Sequence, residues 1–489
     1  MSLIKIENLS FTYPSSYDPI FENVSFQIDS DWKLGFVGRN GRGKTTFLNL
    51  LLGKYEYRGK ISCSVQFDYF PYPVRDPELL TEEVLTEICP DAQQWQIVRE
   101  LSYLEVNDDV LYRPFNTLSN GEQTKVLIAA LFLNEGHFLL IDEPTNHLDN
   151  NGRKILANYL KKKKGFILVS HDRYFLDTCV DHILSLNRAT IEVQNGNFSS
   201  WMTNFERQQA FEESQNERLK KDISHLKQAA RRTSDWSDKV EATKIGMGPC
   251  DRGAVGHKAA KMMKRSKAIE ERRERAIEEK SKLLKNAETA DDLKLITADY
   301  HSDVLLSLSK FSVCYDGRDI FEPISFTVKK GDRIVIDGKN GSGKSSILKL
   351  LTGTDIEHIG NINIGSGLII SYVPQDTSHL HGTLSDYARE NGVDESLFKA
   401  MLRKLDFERV QFEKDIKDFS GGQKKKVLIA KSICDRAHIY IWDEPLNFID
   451  IYSRIQIEQL IEEFNPTMIF VEHDQMFRNK TATQRIELK

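Results

Sequence analysis

The sequence predicts an α/β protein in which two tandem copies of one domain flank a charged helical segment. Three observations lead to this prediction. Four short motifs occur twice in the same order, 300 to 302 residues apart. In each copy, apolar runs without helical periodicity alternate with helical patterns, as in a largely parallel sheet covered by helices. The segment between the copies, residues 201–298, matches neither of them and is rich in charge.

Composition limits the class of protein. A chain of 489 residues is too long for one hydrophobic core, so we expect at least two domains. The net charge of −5 gives no overall reason to expect nucleic-acid binding, so local charge must decide that question. Six scattered cysteines without a C-x-x-C pair indicate a reduced, cytoplasmic protein without a zinc site. We expect neither a signal peptide nor a membrane span, because no apolar run approaches the required ~20 residues.

The repeated motifs place the two domains at residues 1–200 and 299–489, on either side of the linker. Each domain is predicted to open with two β-strands, at Leu3–Glu7 and Val24–Ile28 in the first copy. A buried strand, a glycine loop and a helix follow. The other predicted strands and helices of these regions are Leu34–Val37, Thr45–Leu52, Val304–Leu308, Ile324–Val328, Ile334–Ile336 and Ser345–Leu351.

Two glycine loops have the G-x4-G-K-[ST] pattern of phosphate-binding loops, at Gly38–Thr45 and Gly338–Ser345. Glycines let backbone N–H groups turn toward phosphate oxygens, the lysine adds a positive charge, and the last hydroxyl reaches Mg²⁺. The following helix directs its positive end at the anion. Two such loops, each after an apolar strand, predict two nucleotide sites. The loop residues expected to hold nucleotide are Gly38, Asn40, Gly41, Gly43, Lys44, Thr45, Thr46, Gly338, Asn340, Gly341, Gly343, Lys344, Ser345 and Ser346.

A pair of carboxylates follows another apolar run in each copy. Asp142 and Asp443 end predicted strands, where a carboxylate can hold Mg²⁺ together with the hydroxyls of the phosphate loops. Glu143 and Glu444 come next, where each can orient a water for attack on the γ-phosphate. The alternative is an acidic pair that caps a helix. The phosphate loops favour the catalytic interpretation.

Two histidines end a further apolar run in each copy. They are His171 in LVSHD and His473 in FVEHD. A single histidine at the end of a strand is usually a core residue. The repetition of the HD pair favours a γ-phosphate contact in catalysis instead.

These motifs together resemble those of the ATP-binding-cassette (ABC) ATPases, and the resemblance covers both copies. Its most specific part is the signature, LSNGEQ at 118–123 and FSGGQ at 419–423. In that family the signature of one domain closes over ATP held by the other. The resemblance therefore implies two ABC-type P-loop ATPase domains that pair within one monomer, with ATP and Mg²⁺ as cofactors. The signature residues expected to bind ATP are Ser119, Gly121, Ser420, Gly421 and Gly422.

The resemblance implies two composite sites. The first pairs Lys44 and Glu143 with the signature of the second domain, and the second pairs Lys344 and Glu444 with the signature of the first. Tyr13 and Tyr315 match the aromatic residue that stacks on adenine in the family, although an isolated tyrosine is more often a packing residue.

The two copies also depart from the family pattern. The glutamine that binds Mg²⁺ in the family is present as Gln375 in SYVPQ, but the first copy has Tyr72 in DYFPY. Tyrosine cannot offer an amide oxygen to Mg²⁺. Asn120 replaces a signature glycine, and Glu472 stands where the first copy has Ser170. We expect the two sites to differ in turnover.

The absence of an apolar span and the fusion of two ATPase domains narrow the resemblance to the ABC-F class. GNFSSW at 196–201, leading into a charged helix, is similar to the way that class leaves its first domain. The class acts on ribosomes: its ATP-bound form enters the tRNA exit site, and its linker extends toward the P-site tRNA and the peptidyl-transferase centre. The resemblance implies the ribosome as partner, with rRNA and tRNA contacts and no DNA.

The linker is predicted to be an antiparallel helical hairpin with a basic tip. Apolar stripes at 219–230 and 262–283 indicate two helices, and a glycine-rich stretch at 243–256 separates them. Residues 218–267 contain 14 Lys or Arg and 5 Asp or Glu. This excess favours an RNA-directed tip over a solvated spacer. The residues expected to contact RNA are Arg231, Arg232, Lys244, Lys258, Lys261, Lys264 and Arg265.

Within ABC-F, the chain looks most similar to the antibiotic-resistance members of the Lsa and Vga kind. KKKKGFILVSHDR at 161–173 is among the closest parts. That resemblance implies protection of the ribosome against lincosamides, streptogramins A and pleuromutilins. Two alternatives are a translation factor that relieves stalled ribosomes without a drug role, and the ATPase subunit of a membrane exporter.

Overall fold

The computed structural model describes residues 2–14, 19–146, 148–187, 190–242, 293–315, 318–339, 341–407 and 409–488. In the long helix that begins the linker, side chains are described only as far as residue 224, except at 213, 220 and 223. The described residues fall into two compact units, one containing Met1–Trp201 and Ala290–Lys489 and the other containing Met202–Thr289.

Both ATPase domains contain the predicted alternation of strands and helices. The strands of the first are β1 Leu3–Phe11, β2 Phe21–Asp29, β3 Lys33–Gly38, β4 Arg58–Ser62, β5 Gln66–Phe70, β6 His137–Asp142, β7 Phe166–Val169, β8 His182–Asn187 and β9 Thr190–Asn195. Its helices are α1 Lys44–Leu51, α2 Thr81–Ile88, α3 Gln94–Tyr103, α4 Asn120–Leu131, α5 Asn150–Lys162 and α6 Arg173–Cys179. Helix α7, Phe198–Ala242, leads into the linker.

The second domain repeats the order. Its strands are β10 Val304–Tyr315, β11 Arg318–Asp319, β12 Ile324–Lys329, β13 Arg333–Asp337, β14 His358–Ile364, β15 Ile370–Val373, β16 Ile439–Asp443, β17 Met468–Val471 and β18 Gln484–Glu487. Its helices are α8 Lys344–Leu351, α9 Leu384–Glu390, α10 Glu395–Lys404, α11 Gly421–Cys434, α12 Ile451–Phe464 and α13 Gln475–Thr481. Short 3₁₀ helices lie at 108–112, 115–117, 409–413 and 416–418.

The central sheets are parallel, as the sequence predicts. In the first domain the strand order is β5-β6-β7-β3-β8-β9, and β9 alone pairs antiparallel with its neighbour. In the second it is β15-β16-β17-β13-β18, with every pair parallel. The middle strands are buried on both faces, which explains why their sequences are continuous apolar runs. The carboxyl ends of β3, β6 and β7 therefore meet along one edge, where the phosphate loop and the acidic and histidine motifs begin.

Each domain also contains a second, antiparallel sheet, which the sequence does not predict as a separate layer. In the first domain its order is β2-β1-β4, and in the second β12 and β14 both pair with β10. Helices α1 and α8 pack between the two sheets: Phe47 and Ile347 are fully buried in the clusters that join them. This packing fixes the direction of the helix that follows each phosphate loop.

The chain re-enters the second domain before its first strand. Leu293 and Leu295 are buried in that domain's helical core, and the backbone N–H of Ala298 donates to the carbonyl of Ala437. Helix α7 contains the first predicted apolar stripe of the linker. The glycine-rich turn and the second predicted helix lie outside the described residues. Of the helices that the described ranges contain, none is long and apolar enough to cross a membrane.

We expect Leu295→Ala to lower the stability of the second domain by about 2–5 kcal/mol, because it removes a buried side chain and leaves a cavity. Leu295 is 6% exposed, and its neighbour Ile296 is 52% exposed. Ile296→Ala is therefore the matched control, with an expected loss of about 0.5 kcal/mol or less. Differential scanning calorimetry of both variants checks this. Equal shifts in Tm would contradict the placement of this segment.

Candidate active site

The two phosphate loops hold their lysines in the same way. Lys44 Nζ donates to the carbonyl oxygens of Gly38 and Arg39 at 2.7 and 3.1 Å, and Lys344 Nζ donates to those of Gly338 and Lys339 at 2.9 and 2.8 Å. Burial lowers the pKa of both lysines from the ordinary value, and nearby carboxylates oppose the shift. Each ammonium is thus anchored at the centre of its loop, beside the start of a helix.

The glycine that precedes each lysine is required by the backbone. Gly43 and Gly343 have φ values of 106° and 86°, in the left-handed region. A Cβ on Gly43 would also lie 2.5 Å from Ile20. The positive φ disfavours a side chain at both positions, and a Cβ on Gly343 would lie 3.1 Å from the Phe321 ring. The backbone N–H groups of the first turn are consequently presented to the loop.

The phosphate loop of the second domain and the signature of the first line one cavity of about 990 Å³. Ser119 and Gly121 lie on one side, and Lys344 and Ser345 on the other. Ser119 caps helix α4: its Oγ accepts from the N–H of Glu122, whose carboxylate accepts from the N–H of Ser119 in return. The cavity therefore combines a phosphate loop with the N-terminus of a helix from the other domain. The further predicted residues that line it are Tyr315, Gly341, Gly343, Ser346, Gln375, Glu444 and His473.

Glu444 is held by three polar side chains beside this cavity. Its Oε2 accepts from Gln375 Nε2 at 2.8 Å and from Asn447 Nδ2 at 2.6 Å, and its Oε1 lies 3.3 Å from His473 Nε2. Burial alone would raise its pKa, but the contact with His473 and the two amides lowers it to about 2. Glu444 is therefore ionised at neutral pH in this environment.

Glu143 has a different environment, although it occupies the equivalent position. Its Oε1 lies 3.4 Å from His171 Nε2. The pKa of Glu143 is raised to about 8 by burial and by the adjacent Asp142. Among the described residues, no side-chain amide donates to Glu143 as Gln375 donates to Glu444, and Tyr72 stands at the position of that glutamine. The surroundings of the two predicted water-positioning carboxylates thus shift their pKa values in opposite directions, up for Glu143 and down for Glu444.

Both glutamates follow their strands in a strained conformation. Glu143 and Glu444 have φ values of 50° and 47°, in the left-handed region that non-glycine residues rarely adopt. Their N–H groups donate to Val169 and Val471 on the neighbouring strand, both at 2.9 Å. This fixes the turn and points each carboxylate away from the sheet toward the histidine.

The aspartates at the ends of the strands fit Mg²⁺ to different degrees. Burial raises the pKa of Asp443 to about 6 and outweighs the Ser345 hydroxyl, which lies beside it and lowers its pKa without a hydrogen bond of good geometry. A carboxylate in this position suits a cation that the nucleotide brings. Asp142 Oδ2 instead accepts from Thr45 Oγ1 at 3.0 Å and from Tyr69 OH at 3.2 Å. Within the described ranges no cluster of three or more His, Cys, Asp or Glu could hold a metal without phosphate ligands.

The first composite site is closed by direct contact between the domains. Asn40 Nδ2 donates to the carbonyl of Phe448 at 2.7 Å, and Arg39 Nη1 lies 3.3 Å from Asp406 Oδ2. Gly422 packs so closely that a Cβ would lie 2.4 Å from the Phe448 carbonyl and 3.2 Å from Asn40 Nδ2. The structure thus brings the second signature to the first phosphate loop. Gly421 lies beside the Phe448 ring, and Ser420 caps helix α11.

The two predicted adenine-stacking tyrosines lie beside the first turn of the helix that follows each loop. The hydroxyl of Tyr13 lies 2.7 Å from Thr46 Oγ1, and that of Tyr315 lies 2.9 Å from Ser346 Oγ. Tyr13 also packs edge-on against Phe11. Stacking on adenine stays a prediction for both tyrosines.

A buried ionic cluster joins the two domains, and sequence reasoning missed it. Arg173 donates to both carboxylate oxygens of Glu458, one of them at 3.1 Å, and lies 3.5 Å from Asp474 Oδ2. Arg454 donates to the same Asp474 at 2.9 Å. All four side chains are buried. One difference between the two copies could have indicated this cluster: the residue after the HD pair is Arg173 in the first copy and Gln475 in the second.

Some predicted site residues fall outside the described part of the chain. Asn340 is one, so the second phosphate loop is described without it. Arg231 and Arg232 lie in helix α7, where their side chains are not described. Lys244, Lys258, Lys261, Lys264 and Arg265 lie outside the described residues, so RNA contact at the tip stays a prediction.

The fold and the two loop-and-signature sites define a protein with two P-loop ATPase domains. The family described as "ABC transporter" matches residues 21–146 and again 321–447. The chain belongs to this family, and it is an ATPase that binds and hydrolyses ATP.

Similar proteins confirm the resemblance to ABC-F proteins of the ribosome-protection type. The chain is 28% identical to the ribosome protection protein VmlR of Bacillus subtilis, over 99% of this chain and 86% of VmlR. It is 24% identical to the energy-dependent translational throttle protein EttA of Haemophilus influenzae, over 96% and 89% of the two chains. A chain in the solved complex of an archaeal ribosome recycling factor and a ribosomal stalk protein has a similar structure, with a TM-score of 0.63 at 19% identity. The match covers 98% of this chain and 87% of the other. At that identity the likeness concerns the fold.

We expect Arg173→Ala to destabilise the paired domains by about 3–5 kcal/mol, because it leaves Glu458 buried without its main partner. The matched control is Gln475→Ala at the equivalent position, where we expect about 1 kcal/mol or less. Urea unfolding followed by tryptophan fluorescence measures both. Equal losses would show that the ion pair contributes nothing to domain pairing.

Proposed function

We propose that this protein hydrolyses ATP at two unequal composite sites to work on the ribosome. The observation that carries the proposal is the cavity in which Lys344 of one domain faces Ser119 of the other. ATP held there contacts both domains, so binding favours their pairing and hydrolysis releases it. Such a cycle converts ATP turnover into a change of domain arrangement.

In the second composite site, the residues have separable roles. Lys344 and the N-terminus of α4 attract the phosphates, and Ser345 and Asp443 are placed to hold Mg²⁺, which would neutralise charge on the phosphates when bound. Glu444, ionised and oriented by Gln375 and Asn447, accepts a hydrogen bond from the attacking water. His473 Nε2 lies 3.3 Å from Glu444 Oε1, and we assign to it the contact with the terminal phosphate.

The first composite site is proposed to turn over more slowly. Glu143 holds a proton near neutral pH in this environment, and Asp142 is already engaged by Thr45 and Tyr69. The direct contact of Asn40 with Phe448 keeps the domains close there. This site is suited to holding nucleotide, while the second is suited to hydrolysis.

The proposed partner is the cytoplasmic ribosome, at its tRNA exit site. Two relatives that cover nearly the whole chain are named for ribosome protection and for translational throttling. The excess of basic residues toward the linker tip suits rRNA and tRNA phosphates near the peptidyl-transferase centre. We propose that the tip displaces lincosamides, streptogramins A and pleuromutilins. The similarity to EttA supports the second candidate, a translation factor without a drug role.

We expect Glu143→Gln combined with Glu444→Gln to bind ATP, to lose at least about 100-fold of the hydrolysis rate and to stay bound to ribosomes, because neither carboxylate can then act on the water. Sedimentation of ribosomes with ATP and phosphate release measure this. Gln475→Ala in the wild-type background is the control. Turnover by the double variant at the wild-type rate would exclude the water-positioning role.

Expression of the gene should raise the minimum inhibitory concentration of at least one of the three drug classes in a susceptible host. The Glu143→Gln, Glu444→Gln variant should not, because it cannot leave the ribosome. Unchanged susceptibility to all three classes, with ribosome binding intact, would favour the translation factor. Co-purification with a membrane protein instead of ribosomes would favour the exporter alternative.

A further inference from the structure

One face of the first domain has a composition that its ATP chemistry does not use. It consists of Trp95, Arg99 and Tyr103 on helix α3 and the lysines at 161–164, at the end of α5. We call it the α3–α5 face. Positions 95, 99 and 103 are four residues apart, so their side chains form one stripe on the helix. The stripe extends over about 12 Å along the helix axis.

Rings and cations alternate along this face. Trp95 and Tyr103 are 57% and 52% exposed. The guanidinium of Arg99 lies 5.2 Å from the centre of the Trp95 ring, and Lys162 Nζ lies 5.5 Å from the centre of the Tyr103 ring. These contacts place a cation beside each ring and leave each of the two residues more than half exposed. The rings are thus available to a ligand from solvent.

The face carries a local positive charge. Of its lysines, Lys163 is engaged with the carboxylate of Glu100 at 2.5 Å. Glu100 itself is buried and also accepts from Arg99 and from Tyr159. The negative charge of Glu100 is therefore balanced inside the domain. Lysines 161, 162 and 164 are exposed, and their positive charges remain on the surface.

The second domain provides an internal comparison, because helices α10 and α12 occupy the equivalent positions 301 residues later. Where α3 has Trp95, Arg99 and Tyr103, α10 has Ser396, Ala400 and Lys404. Where the first domain has four lysines, the second has Glu462, Glu463, Phe464 and Asn465. The fold that the two copies share therefore requires neither the rings nor lysines 161, 162 and 164, whereas Lys163 balances the charge of buried Glu100. Their presence on the first copy alone points to a role outside folding.

We propose that the α3–α5 face binds an unpaired RNA strand, with bases stacked on Trp95 and Tyr103 and phosphates on the exposed lysines. Exposed aromatic rings beside cations are the usual surface for single-stranded nucleic acid, because every base has a flat face and every nucleotide a charge. An acidic protein is the competing partner, because Trp, Tyr and Arg are enriched in protein–protein interfaces; the exposed lysines beside them, which are depleted there, favour RNA. This proposal rests on the proposed function, since the ribosome supplies the RNA. It adds a second RNA contact, on the domain itself.

The test uses the full-length chain and a fluorescent 12-nucleotide oligouridine as the probe. Trp95→Ser with Tyr103→Ser should weaken binding at least tenfold in fluorescence anisotropy, because two stacking surfaces are lost. Trp95→Phe with Tyr103→Phe keeps both rings and should restore most of the affinity. Tyr112→Ser is the matched control, because that ring is 64% exposed and lies off the stripe. None of these variants should change basal ATP hydrolysis or Tm.

A second pair of variants tests the charge. Lys161→Glu combined with Lys162→Glu introduces the glutamates that the second domain has at the equivalent positions. Because two phosphate contacts are lost, the slope of log Kd against log salt concentration should fall by about 1.4. The control is Lys60→Glu combined with Lys329→Glu. It changes the net charge by the same amount at two exposed lysines, one on β4 and one on β12. Its salt slope should match that of the wild type.

The outcomes separate this proposal from the proposed function. The RNA proposal is overturned if the variant without the two rings and the variant with both lysines changed to glutamate bind oligouridine as the wild type does. If those variants lose ribosome binding while oligouridine binding is unchanged, the proposal is also overturned, because the partner of this face would then be a protein. Weakened oligouridine binding supports it whether or not ribosomes are bound. Failure of the wild-type chain to sediment with ribosomes would count against the proposed function alone.

Discussion

Two arginines share one fully buried carboxylate where the two ATPase domains meet, and we expect the pairing of the domains to depend on it. Burial opposes a charge on Asp474, but Arg173 and Arg454 keep its pKa below the usual value. Taking such charges out of water is costly unless every partner is present. Arg173 comes from the first domain, and Arg454 and Asp474 from the second. The cluster is therefore satisfied only while the domains are paired, which is also the condition for a complete ATP site.

Much of the fold could be predicted because the sequence contains two copies of the same domain, so each motif in one copy supports its counterpart in the other. The repeat located both domains, and the glycine loops and apolar runs located the strands that carry Asp142 and Asp443. Four strands of the antiparallel sheets were predicted singly, but the separate sheets were not, because β4 and β14 complete them through pairing between segments distant in sequence. The Asn40–Phe448 contact could not be foreseen either, because it depends on a backbone carbonyl and on how closely two domains approach. The protonation states of Glu143 and Glu444 follow from burial and neighbours, which motifs do not record.

The two ATP sites diverged by small changes around an unchanged frame. Both retain the lysine, the strained glutamate and the histidine at similar separations. One exchange, Tyr72 for the residue equivalent to Gln375, leaves the first site without one of the two amides that hold Glu444. The pKa of Glu143 is raised by burial and by Asp142, whereas that of Glu444, despite burial, is lowered by His473 and the two amides. Electrostatic surroundings, more than geometry, distinguish the sites.

A molecule built from two copies of one domain can meet a target in two orientations that its backbone does not distinguish. Each tenfold preference for one of them requires about 1.4 kcal/mol of difference in binding free energy. The lysines of the first copy correspond in sequence to Glu462 and Glu463 of the second, and the two rings correspond to a serine and a lysine. An anionic target therefore meets more positive charge and more aromatic surface on the first copy than on the second. The two copies keep the similar folds that two composite nucleotide sites require. Their surfaces differ, and this difference favours one docking orientation over the other.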